Sequence, residues 1–398
     1  MKFNKVLNII GEIDVCCEFE NIFSKNEGFL VTNVISEEYF FEMTGESMYY
    51  ALKEYEVDSG INQKEKKRKI VKAIIKRKEY CGGILYHNSF KGGKDTQLRS
   101  TSAAIRTLLA GQKDGICFKK DLEEVVNHHF SYFFKWGNGI WFCHDTSEKE
   151  GKTPISHIKT KYWRKEKRNT LTLNTHIDSL TTLLLLLRDD STYIDNVQYI
   201  NKAKKAIISI NKIFETINRK SKVNLFLQNV DNYLFEHYLR KVENKNIFYL
   251  MYQKIIHPLF FKVVSPTLFF KNGYIGRDLA IPDIHIDYLL VNIADFLRLL
   301  VVYDSLSEKK KEKINVDLNK EKLLKVVNKA IDLIHKSTNF QNYINKHDVQ
   351  KAWYAEVLYL SSFYNNKYLE QLKAIKESSL YNLETTVFAE SINKNGRF

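Results

Sequence analysis

The sequence has few of the residues that interrupt helices, with four prolines and sixteen glycines in 398 residues, so long helices are nowhere forced to break. Its five cysteines, Cys16, Cys17, Cys81, Cys117 and Cys143, are an odd number with no CxxC or zinc-knuckle spacing. That argues against a disulfide framework and for a reducing compartment. No apolar run suits a bilayer, because the longest, Ile286–Tyr303, contains Asp287, Asp295 and Arg298. The opening MKFNKVLNIIGEIDV is broken by Asn8 and soon meets Glu12 and Asp14, which does not read as a signal peptide. These absences predict a cytoplasmic chain with no membrane passage. Also lacking are a P-loop, a dinucleotide GxGxxG after a strand, a GxSxG elbow and the kinase signatures, so nucleotide-driven chemistry is not expected.

What is present is apolar surface and positive charge. Apolar residues make up 44% and aromatics 13%, enough for a sizeable core. Sixty-one Lys and Arg against 47 Asp and Glu leave a net charge of +14. The excess is spread widely through a chain rich in Lys, Asn and Ile, and only Lys64–Lys78 is a dense run. Ile70, Ile74 and Ile75 recur there at helical spacing, which predicts a solvated outer helix lying away from any catalytic mouth. A nucleic acid is therefore not the expected partner.

Two kinds of helix alternate. Val197–Ile217 and Lys320–Lys336 each carry one apolar stripe, as helices with a wet face do. Leu180–Leu187 and Tyr288–Tyr303 are apolar around nearly the whole circumference, and Arg99–Ala110 is rich in Ser, Thr and Ala that permit close helix approach. These three are expected to be buried on all sides, with Gly111 ending the third. Buried helices covered by amphipathic ones predict a mainly α (α/α) toroid, preceded by an N-terminal extension over 1–35 and occupying 36–398.

A short element recurs before the buried helices: Gly82-Gly83-Ile84-Leu85-Tyr86-His87, Gly137-Asn138-Gly139-Ile140-Trp141-Phe142-Cys143-His144-Asp145, and Asn272-Gly273-Tyr274-Ile275-Gly276-Arg277-Asp278. Glycine followed by a β-prone run is a turn signal, so each is read as a short hairpin at the toroid mouth. Two further segments resemble each other, His176-Ile177-Asp178 and His285-Ile286-Asp287, each just before a buried helix. If they are extended, His and Asp share one face, and the Asp is placed to cap the helix that follows.

Three imidazoles at helix entries, His144, His176 and His285, suit general acid and base work. With Asp145, Asp178 and Asp287 nearby they also suit a divalent metal, although no strong metal motif is matched. Tyr86, Tyr274 and Tyr288 add phenols. Arg99 and Arg277 add guanidinium groups able to hold a carboxylate, with an internal Arg277–Asp278 pair as the alternative.

Asn272–Tyr303 together with Leu171–Leu187 resembles the C-terminal helical domain of D-glucuronyl C5-epimerases. Gly276-Arg277-Asp278-Leu279 stands where that family has its Tyr-Asp-Leu element, and His285 matches the histidine of its Thr-His-Ile segment. Where the family has a tyrosine just upstream, this chain has Ile281-Pro282-Asp283. The resemblance implies a cofactor-independent isomerase that removes a proton α to a carbonyl and returns one from the opposite face. Tyr274, His285, His144 and His176 are then the proton-transfer candidates. Arg277, Arg99, Tyr86, Asp145, Asp178, Asp287 and Tyr288 are the substrate-binding ones. The expected substrate is an acidic saccharide or a peptide. The same apparatus serves a peptide Cα epimerase acting on a natural-product precursor. A glycoside hydrolase or lyase, needing two facing carboxylates, and a non-catalytic helical scaffold are the other readings. Oligomeric state is not legible.

Overall fold

The computed structural model describes residues 63–80, 87–88, 94–150, 171–215, 273–277, 286–346 and 348–376, with isolated positions 230, 251 and 255. The proposed 1–35 extension and its boundary, Tyr86 and His285 lie outside the described residues. What is described is mostly helical. In chain order it comprises α1 (Gln63–Tyr80), β1 (His87–Asn88), β2 (Lys94–Asp95), α2 (Leu98–Lys113), α3 (Lys119–His129), β3 (Phe133–Trp136) and β4 (Gly139–Phe142). There follow α4 (Thr146–Glu150), α5 (Leu173–Asp189), α6 (Ser191–Ile194), α7 (Val197–Glu215) and α8 (Ile286–Asp304). The last are α9 (Glu308–Ile314), α10 (Lys320–Lys336), α11 (Thr338–Lys346), α12 (Asp348–Ser362) and α13 (Lys367–Lys376). Among the described residues no helix is long and apolar enough to cross a membrane.

Four helices stand side by side in one layer, α2 against α5, α5 against α8 and α8 against α12. A second set covers them: α1 and α3 lie on α2, α7 on α5, α10 on α8, and α11 and α13 on α12. Burial follows this division. Every residue of α5 from Leu173 to Arg188 is buried, as are Leu289–Tyr303 of α8 and nearly all of α2. In α10 only Leu323, Val327, Ala330, Ile331 and Ile334 are buried, one stripe at helical spacing. The expected division into fully buried and one-faced helices holds over the described part of the five segments, except that Val197 at the start of α7 is exposed and 216–217 lie outside the described residues.

Glycines set the close approaches. Gly111 does not end α2 as expected; the helix runs on to Lys113, and Gly115, with φ +69°, supplies the left-handed turn. A Cβ on Gly111 would lie 2.7 Å from Val71 Cγ2, so the missing side chain is what lets α1 sit on α2. The turn predicted at 137–139 is present: β3 and β4 pair antiparallel from Phe133 with Phe142 to Trp136 with Gly139, leaving Gly137-Asn138 as the loop. Gly139 is pressed on α7, where a Cβ would come within 2.5 Å of the Lys205 carbonyl oxygen. Gly273, with φ +106°, is pressed on α10 in the same way, 2.3 Å from the Lys329 carbonyl oxygen. The two later glycine elements are therefore seated against covering helices, while 82–85 of the first lie outside the described residues.

Candidate functional site

Backbone hydrogen bonds tie segments ahead of the helices together in two pairs. The Leu98 N–H at the start of α2 donates to the His144 carbonyl at 3.0 Å, and the Thr146 N–H at the start of α4 donates to the Thr96 carbonyl at 3.1 Å. The Leu173 N–H at the start of α5 donates to the Arg277 carbonyl at 2.9 Å. Just ahead of α5, the buried Leu171 adopts φ +57°. A left-handed leucine costs about 1–3 kcal/mol, and such strain persists where the surroundings over-determine it. One end of the layer thus gathers the segments around residues 97, 145, 173 and 277.

His144 lies at this end and is partly exposed. Its Nδ1 is 2.9 Å from the Thr175 hydroxyl, and its N–H donates to Glu148 Oε2 at 2.7 Å. Asp145 accepts the Glu148 N–H at 3.0 Å, so the Asp145 and Glu148 carboxylates fasten the first turn of α4. Arg277 is partly exposed and stacks on the Tyr288 ring, 4.5 Å from guanidinium carbon to ring centre. Asn292, one turn further along α8, donates to the Gly276 carbonyl at 3.1 Å and holds that loop to the helix.

His176 departs from its expected role. The His-Ile-Asp segment is not extended, because α5 begins at Leu173 with Thr172 as its N-cap. His176 therefore turns away from the face that carries Asp178. It stacks on Trp141 with ring centres 4.2 Å apart and planes 12° apart, and its Nδ1 accepts the Phe142 N–H at 3.1 Å. Burial holds the imidazole neutral and lowers its pKa to about 3, against the accepting backbone carbonyl of Ala206, which works the other way. A fully buried ring whose lone pair is already used is a packing group between the hairpin and α5. Tyr274 is likewise only 1% exposed.

Asp178 is not the cap of α5 either. It is buried one turn inside the helix and accepts from Arg106 Nη1 at 2.9 Å, which also reaches the Thr182 hydroxyl at 2.6 Å. Burial alone would raise the Asp178 pKa, but the charges of Arg106, Arg99 and Arg298 overcome it and lower it. Arg99, expected to face substrate, instead grips Asp295 with two hydrogen bonds of 2.5 and 3.1 Å. Burial opposes the Arg99 charge, yet Asp295 and Asp178 hold its pKa above the ordinary value. Arg298 donates to Asp295 at 3.1 Å and forks onto Glu356 of α12 with two bonds of 2.7 Å. Three arginines and three carboxylates thus form a buried seam that crosses all four helices of the inner layer. Asp287, second residue of α8, sits outside the seam and accepts from Tyr343 at 3.1 Å and Gln350 at 2.8 Å.

Sequence reasoning missed Arg106 and Glu356, and took Asp295 and Arg298 only as evidence against a membrane span. The available signal was ionisable residues three apart within an otherwise apolar helix that is too charged for lipid, which must find partners inside the protein. The candidate groups at this end that keep some exposure are His144, whose ring meets the buried Thr175 hydroxyl, and Arg277 on Tyr288. Among the described residues no group of three or more His, Cys, Asp or Glu is arranged to hold a metal ion. Compared with protein-family models, curated proteins and solved structures, the chain matches none.

Proposed function

We propose that the end of the layer where α2, α4, α5 and α8 begin is the mouth of an (α/α) toroid enzyme, a cofactor-independent epimerase acting on an acidic substrate. The observation that carries this reading is a set of hydrogen bonds: backbone bonds join the segments before α2 and α4, and Leu173 to Arg277, while the contact of His144 with Thr175 links the two pairs. His144 and the Arg277 loop lie at this end of the described layer, where Leu171 adopts its left-handed conformation. Proton abstraction α to a carbonyl needs a base beside the carbon and a cation on the carboxylate. His144 is the partly exposed imidazole for the first task, with the Thr175 hydroxyl fixing its ring. Arg277, kept flat on Tyr288, is the guanidinium for the second. The choice of a uronosyl C5 centre comes from the resemblance to the glucuronyl epimerases, and a peptide Cα is chemically equivalent.

Hydrolysis is less well served. It needs two carboxylates facing each other across a substrate, whereas Asp145, Glu148, Asp178 and Asp287 are each bonded inside the protein. The rival is a non-catalytic helical scaffold, favoured by the internal pairing of Arg99 and the packing role of His176. One experiment separates them. The protein is incubated in deuterated water with a polyuronate and, separately, with peptides, and deuterium at the inverted carbon is read by mass spectrometry. Incorporation that His144→Ala lowers by about 10²–10⁴ supports the epimerase. Absence of label in every substrate, or label that survives His144→Ala, overturns it.

A further inference from the structure

A row of lysines runs along the β3–β4 hairpin and the helix beneath it. Lys149 lies over the Tyr132 ring at 5.1 Å, Lys202 over Phe133 at 5.7 Å and Tyr199 at 5.2 Å, and Lys212 over Trp136 at 4.8 Å. Lys135 on β3 and Lys205 on α7 are exposed. From Lys202 to Lys212 the row spans about 15 Å, at about 1.5 Å per helical residue. Among the described residues Lys135, Lys202 and Lys205 have no ion-pair partner. Lys202 is the telling member. It is only 8% exposed, its stem is enclosed by aromatic rings, and it makes no hydrogen bond or ion pair among the described residues. Burial and the neighbouring Lys149 charge lower its pKa. A largely buried lysine whose ammonium still reaches solvent beside another cation is an arrangement that an arriving anion completes.

The row also has a direction. The Cys143 N–H donates to the Tyr132 carbonyl at 3.2 Å, so the Lys149 end begins beside the residue that precedes His144, and Lys212 lies at the far end. We propose that this row is a binding track for a linear polyanion, an acidic polysaccharide whose carboxylates pair with Lys202, Lys205 and Lys135 while one end of the chain reaches His144. The choice of a sugar acid rests on the proposed reaction, but the track itself does not. A single-stranded nucleic acid fits less well, because it needs open ring faces for its bases to stack on. Here each ring carries an ammonium, and Trp136 and Tyr199 are buried.

Binding is read without turnover, by fluorescence anisotropy of an end-labelled oligogalacturonate titrated with the full chain. A neutral glucan of the same length and a short DNA duplex serve as comparisons. The expected result is salt-dependent binding of the oligogalacturonate, no binding of the glucan, and about tenfold weaker binding by Lys135→Gln/Lys205→Gln. Lys202→Met should weaken it further. If Lys202→Met does not fold by circular dichroism, the exposed double variant decides alone. Binding unchanged in that variant, no binding by the wild type, or duplex DNA bound more tightly than the oligogalacturonate overturns the proposal. Loss of catalysis with binding intact would count against the epimerase and leave the track standing.

Discussion

The same three residues, His-Ile-Asp, occur at 176–178 and 285–287, yet the two aspartates have different fates. Asp178 is one full turn inside α5 and lies in the charged seam, whereas Asp287 is the second residue of α8 and, among the described residues, meets the neutral donors Tyr343 and Gln350. What differs is where each helix starts relative to the tripeptide. In α5 the first residue, Leu173, donates its N–H to the Arg277 carbonyl, and the helix begins three residues before His176 and carries Asp178 into the interior. A few residues of offset convert a polar end group into a buried counter-ion.

The sharpest way to break this comparison is Asp178→Ala. It removes the carboxylate that faces the buried Arg106 guanidinium, and should destabilise the fold by about 3–5 kcal/mol in urea denaturation. The apolar double variant Arg106→Met/Asp178→Leu should recover most of that loss. A loss under about 1 kcal/mol for the single variant would show that Asp178 is not the buried partner described here.

The next effect is acid sensitivity on the His176 side of the comparison. His176 and His129 are buried neutral, each with its pKa lowered from 6.5 to about 3, chiefly by burial. Between those values the unfolded chain binds more protons than the folded one. Stability is therefore complete above about pH 6.5 and falls as pH drops towards 3. From pH 6.5 to pH 5 each histidine should cost about 2 kcal/mol, and His176→Gln should remove its share of the slope in denaturation curves recorded across that range. A pH-independent wild type would mean that these rings reach solvent.

Asp287→Ala should cost less, about 1–2 kcal/mol, because it strands the Tyr343 hydroxyl and the Gln350 amide rather than a charge. If it matched Asp178→Ala, the distinction between the two motifs would collapse. At the bottom of the scale, Lys64→Glu in the exposed first turn of α1 should shift stability by no more than roughly half a kcal/mol and leave turnover unchanged. The same run shows why charge density alone is a poor guide. Its last lysine, Lys78, is buried and pairs with Asp121 and Glu124 of α3, and burial opposes its charge while those carboxylates raise its pKa.

The helices were legible because burial writes itself into local periodicity. Leu180–Leu187 has no polar face, and α10 shows its stripe at every turn. The hairpin at 133–142 was legible from its glycines. The seam was not, because the partners are 72 residues apart for Arg106 and Asp178 and 196 apart for Arg99 and Asp295. No periodicity within one helix can announce a contact at that distance. The same gap explains His176 and Arg99: as helix-entry residues they read as site groups, and only the packing of a neighbouring hairpin or helix shows that their polar atoms are already taken.

The seam has a further consequence for how the molecule can be divided. Glu356 on α12 is the partner of Arg298, Arg298 shares Asp295 with Arg99, and Arg99 belongs to α2 near the other end of the described chain. A chain cut before α12 would take from Arg298 the carboxylate that it grips with two bonds and leave it sharing Asp295 with Arg99. Removal of α2 would take Arg106 from Asp178 and Arg99 from Asp295 at once. The inner layer is therefore not a stack from which single helices can be peeled, as they can in a solenoid. It gains or loses its charges together, and truncation from either side should yield an insoluble fragment rather than a smaller domain.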